Sequence, residues 1–199
     1  MNHFVLFSEP WWVNLFIFIP IILFYLWKQK GLQISKEILI ITALFGIAFG
    51  FVEASVVFYL RTAAEILSGY SGALSDVARF SANNYQQSQL LGEQTGRLLQ
   101  IELFREIATI VMLISVAFAS IKAPRERFAI FIWTFAIWDI FYYLGFWAID
   151  RWPQSLLTPD ILFLIPTPWL SQVWFPITVS TFSIFAVIFA KKTTHNNPD

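Results

Sequence analysis

The sequence predicts an all-α polytopic membrane bundle of about five transmembrane helices, with a short re-entrant or interfacial helix on its outer side. Three observations carry this. Of 199 residues, 57% are hydrophobic and only 13% charged, whereas a soluble domain carries about 25% charged residues. The apolar residues gather into long runs rather than alternating. Aromatic residues make up 19% of the chain, a load that suits lipid and interface contacts. With no internal repeat, the chain reads as a single transmembrane domain over 1–199.

The runs are Trp11–Trp27, Ile38–Leu60, Ile101–Ile121, Phe128–Ile149 and, more roughly, Trp169–Ala190. Each is near the length needed to cross ~30 Å of hydrocarbon at ~1.5 Å per residue, the first only just. In lipid the backbone must satisfy itself, so all five are expected as helices. The first run lacks a basic start and a small-residue cleavage site, and Lys28 and Lys30 follow it. It therefore reads as a retained anchor, kinked at Pro20.

Lys28, Lys30 and Lys36 fall between spans one and two. Lys122, Arg125 and Arg127 fall between spans three and four, and Lys191 and Lys192 follow span five. These regions alternate correctly to share one side. Arg61, Arg79, Arg97 and Arg151 belong to the other. The positive-inside rule then puts the N-terminus outside and the C-terminus in the cytoplasm. Trp11, Trp12, Trp27, Trp147 and Trp152 fall near the expected interfaces.

Two irregular outer segments remain. In Arg61–Gln100 the polar middle, Ser81–Gln89, reads as a loop with amphipathic flanks. In Trp152–Pro168, the string Thr158-Pro159-Asp160 reads as a helix start. Ile161–Ile165 is too short to span, and Pro166 and Pro168 end it. His195–Asp199 is a polar tail.

Composition excludes several chemistries. Net charge is zero, so nothing points to nucleic acid. No cysteine is present, which removes disulfides, thiolate metal sites and thiol nucleophiles. The two histidines, His3 and His195, lie near the termini. Neither a bis-histidine haem nor a His-rich zinc site is expected.

Within or beside the runs lie five carboxylates, Glu53, Glu102, Glu106, Asp139 and Asp160, with a single basic residue, Arg105. An ionised carboxylate in hydrocarbon is costly and needs a proton, a cation or a partner. Glu53 shares a stripe with Gly46, Gly50, Ala54 and Val57, and the small-xxx-small pair favours close helix packing. It is therefore expected to face protein, about 10 Å deep. Glu102, Arg105, Glu106 and Thr109 fall within an arc of roughly 100°. Glu102 and Arg105 can pair at i, i+3, which leaves Glu106 needing another partner. Asp139 lies near the middle of span four. Tyr142 and Tyr143, one turn outward, carry hydroxyls able to donate to a carboxylate. All these groups lie from mid-membrane to the outer boundary.

The strings FVEASVVFYLR, ELFREIATIVML, WDIFYYLGFW and DILFLIPTPW resemble those of a group of uncharacterised bacterial multispanning inner-membrane proteins. The resemblance covers roughly Phe51–Trp169. It implies a bacterial inner-membrane location and brings no activity with it.

The sequence leaves three functions open. In the first, the five carboxylates converge on an outward-facing site for protons or a cation. Hard oxygen ligands suit a divalent ion. With a metal, an enzyme acting on a lipid or isoprenoid head group would have Glu106 or Asp139 as its base. The second is proton or cation transport. The third is a non-catalytic accessory subunit of a larger membrane complex, whose acids pair with basic groups of other membrane subunits.

Overall fold

The computed structural model describes residues 7–66 and 93–195. The expected loop Ser81–Gln89, most of its flanks, His3 and the tail beyond His195 lie outside the described residues.

The chain opens with a 3-10 helix, Trp11–Phe18, which becomes α-helix α1 at Ile19–Lys28. Pro20 stands at the changeover, in the first turn of α1. Proline is tolerated there because its missing N–H would have no partner. Then follow α2, Lys36–Ile66; α3, Glu93–Ser120; and α4, Pro124–Asp150. Two short strands, β1 at Pro159–Ile161 and β2 at Leu170–Gln172, precede α5 at Trp174–His195. The molecule is thus mostly helical. Among the described residues, four helical stretches are long and apolar enough to cross a membrane: Trp11–Lys28, Lys36–Leu60, Pro124–Asp150 and Trp174–Lys191. The helix α3 occupies the remaining expected run.

The main packing is α2 against α4. Small residues allow it. A Cβ added at Gly50 would meet the Trp138 carbonyl oxygen at 2.7 Å and the Tyr142 nitrogen at 2.9 Å. Those contacts are backbone, so only glycine fits this crossing. On α3 the buried residues Glu106, Thr109, Leu113 and Ala117 form one stripe at helical spacing. Leu113 joins Phe49 and Trp138 in the core between α2, α3 and α4.

The two ends of the bundle differ. At one end Arg125 ties helices together: its guanidinium donates to the carbonyls of Gly31 at 2.5 Å and Trp27 at 2.9 Å. The Trp27 carbonyl also accepts the Gly31 N–H at 2.9 Å, so Arg125 adds a second donor at the end of α1. Beneath this basic end lies an apolar core of Leu23, Trp27, Ala129, Ile130, Val187 and Ala190.

At the other end, the expected short outer helix is absent. Residues 159–172 form a β-hairpin instead, with Asp160 opposite Ser171. The hairpin is extended by the Leu162 N–H donating to the Trp169 carbonyl at 2.8 Å and the Trp169 N–H donating to the Phe163 carbonyl at 2.7 Å. Glu9 adds a further rung on Leu170, at 2.8 and 2.7 Å. The physical reason is local. Pro166 and Pro168 deprive a helix of donors but fall in the hairpin's turn, outside its two strands, while Pro159 is the first residue of β1, a position where a strand tolerates proline. Thr158, the first residue of the expected helix start, instead accepts the Ser155 amide at 3.1 Å. Trp27 and Trp152 are buried against other parts of the protein.

Candidate functional site

All the singled-out polar residues lie toward the hairpin end, but they form two groups on two faces of α4. Neighbouring residues of a helix point about 100° apart. Trp138 and Tyr142 share one face, and Asp139 and Tyr143 share the next.

The first group centres on Arg105. Its Nε and one terminal nitrogen donate to Glu102 Oε2 at 3.0 and 2.8 Å. The other terminal nitrogen donates to Glu53 Oε2 of α2. The i, i+3 pair expected from the sequence is therefore present, and Glu53 joins it from across the bundle. Tyr142 lies near enough to interact electrostatically with this guanidinium. Glu106, one residue on, takes a different partner. Both its carboxylate oxygens accept the backbone N–H of Leu164, at 2.9 and 3.0 Å. This bond ties α3 to the tip of the hairpin.

The second group joins α4, α5 and β1. Asp139 accepts the Ser180 hydroxyl of α5 at 2.7 Å. Tyr143 donates its hydroxyl to Asp160 of β1 at 2.9 Å. Asp139 and Asp160 interact electrostatically with each other and with Tyr143.

Glu53, Glu106 and Asp139 are 5%, 7% and 9% exposed, so all three are interior side chains. Glu102, Arg105, Tyr142 and Asp160 are partly covered. Among the described residues Arg105 pairs with Glu53 and Glu102, while Glu106 and Asp139 have no ion pair.

The arrangement bears on the expectation of a metal. Five ligands were to converge in one pocket, but the acids fall into two groups, Glu53, Glu102 and Glu106 on α2 and α3 and Asp139 and Asp160 on α4 and β1. Among the described residues no group of three or more His, Asp or Glu side chains could hold one ion. Metal binding therefore has no support, and neither does a metal-assisted reaction with Glu106 or Asp139 as base.

Sequence reasoning missed Ser180, the Leu164 amide and Glu126. Ser180 carried a usable signal: with Ser183 it is a buried hydroxyl at i, i+3 in an apolar helix. The Leu164 amide carried none, because it depends on the hairpin. Glu126 is buried in the first turn of α4, where an acid favours the helix dipole. Among the described residues, the buried indole N–H groups of Trp138 and Trp169 have no hydrogen-bond partner.

Compared with family models, curated proteins and solved structures, the chain matches none. The resemblance along Phe51–Trp169 thus gains no family assignment.

Proposed function

We propose that this is an integral membrane protein of five spans, α3 being the fifth, whose interior carboxylates bind protons from the hairpin side. The basic end faces the cytoplasm and the hairpin end faces outward, as the distribution of lysine and arginine favours. The observation that carries the reading is the contrast between the acids. Glu53 and Glu102 share the Arg105 charge. Glu106 and Asp139, as interior as Glu53, have no ion pair among the described residues and accept hydrogen bonds from neutral donors, Arg105 acting on Glu106 only through space. An interior carboxylate without a direct ion pair is costly in a low-dielectric bundle, and a proton removes that cost. Protons need no ligand cluster, so they suit separate single acids better than a metal ion does.

Proton uptake by purified protein after a pH jump, followed with an indicator dye, tests this. Glu106→Gln and Asp139→Asn should each lower the protons taken up per chain. Uptake identical in wild type and both variants would remove the reading. Flux into proteoliposomes then separates a transporter from a protein that only loads protons. Orientation is tested by single cysteines introduced at exposed Ser155 and Lys122, since the chain has no native thiol. An impermeant reagent applied to whole cells should label the first and spare the second.

A further inference from the structure

We propose that Asp139 exchanges its proton with the hairpin side alone, along a route through Tyr143 and Asp160. This rests on the proton-binding reading above and adds the path and its direction.

Three observations carry it. First, the groups form a descending series. Asp160 sits on the hairpin, half-buried. Tyr143 donates to it at 2.9 Å. Asp139 lies one turn further into α4 on the same face, and Ser180 closes the series at 2.7 Å. Second, the charged and titratable groups facing Asp139 belong to this series: Tyr143 on its own helix and Asp160 on β1, with the Ser180 hydroxyl from α5. Third, the series stops there. One turn toward the basic end, the Thr134 and Ser183 hydroxyls turn back onto their own helices, donating to Ile130 and Val179 carbonyls at 2.8 Å. Beyond them lie Ala129, Ile130, Val187 and Ala190, fully buried and apolar. A proton at Asp139 therefore has polar neighbours on one side and hydrocarbon on the other.

The transfer balances. Asp160 takes a proton from external water and passes it to the Tyr143 oxygen as the Tyr143 hydroxyl proton moves inward to Asp139. Tyr143 ends neutral, Asp139 gains one proton and external water loses one. Tyr143 and Asp139 bond to different partners, so the inward step runs through one water or a rotation of the phenol. Ser180 holds the Asp139 carboxyl in place and is a positioning residue.

The experiment is hydrogen–deuterium exchange of the protonated-carboxyl C=O stretch, followed by infrared spectroscopy on protein in lipid vesicles. Asp139→Asn identifies the band by its loss. Tyr143→Phe and Asp160→Asn should keep the band and slow its exchange by about tenfold or more, as expected when a positioned proton donor is removed. Tyr143→Phe retains the ring and its packing on Trp152, so a folding defect is not expected. Ser180→Ala should shift the band frequency, since the carboxyl loses its donor, while exchange still responds to Tyr143→Phe. A band that exchanges equally fast in Tyr143→Phe and Asp160→Asn would overturn the route and leave proton binding intact. Absence of an Asp139 band in wild type would overturn the route together with proton binding at Asp139.

Discussion

Arg105 and Glu53, fifty-two residues apart in sequence, form an ion pair that joins α3 to α2 inside the bundle. Arg105 simultaneously holds Glu102 on its own helix. One guanidinium therefore serves two carboxylates, and its loss leaves both without a charge partner.

Arg105→Gln should therefore destabilise the protein by about 3–5 kcal/mol, the cost of breaking a buried pair by removing one member. Adding Glu53→Gln should recover part of that loss, because the stranded buried charge is then gone. Thermal unfolding in detergent measures both. Equal melting temperatures for wild type and Arg105→Gln would show that the pair contributes nothing.

Gly50 offers a steric test. A Cβ there would approach backbone atoms of α4 at 2.7–3.0 Å, and backbone cannot swing away. Gly50→Ala should cost about 1–3 kcal/mol through overpacking. Ala48, exposed two residues earlier, serves as control: Ala48→Leu should be near neutral. If both changes are tolerated equally, the close crossing of α2 and α4 is not a source of stability.

Glu106 fixes the hairpin tip through the Leu164 amide. Glu106→Ala leaves that amide without its acceptor, at about 1–3 kcal/mol. Faster amide exchange over 162–169 is expected. Glu106→Gln keeps a carbonyl acceptor and should preserve protection. Unchanged exchange in the alanine variant would mean the tip is held by its own ladder.

Arg125 reaches carbonyls at the end of α1 with two nitrogens. Because that grip uses the planar fork, Arg125→Lys should not replace it. Both Arg125→Lys and Arg125→Ala should lower the melting temperature and loosen α1 at Trp27–Gly31, read by amide exchange. A lysine variant as stable as wild type would reduce the role of Arg125 to its charge.

Helical membrane character was legible in the sequence because it depends on local quantities: run length, hydropathy and the need of a lipid-embedded backbone to bond to itself. The tight α2 crossing was legible in the spacing of Gly46 and Gly50. The Glu102–Arg105 pair followed from i, i+3 geometry, and the need of Glu106 for another partner followed with it. The hairpin was not legible. Local signals at Thr158-Pro159-Asp160 favour a helix start, and only the pairing of residues 159–161 with 170–172, joined by Glu9, turned the segment into strands.

The candidate site divides the same way. Sequence alone determined which residues are costly in hydrocarbon and that they gather toward one end, since charge and position along a span are properties of the chain. Tertiary structure decided how they are grouped. Glu53 met Arg105 from another helix, Asp139 met Ser180, and Glu106 met a backbone amide that exists only in the folded hairpin. Partners of this kind depend on the rotation of each helix and on contacts distant in sequence, and neither is encoded in local periodicity.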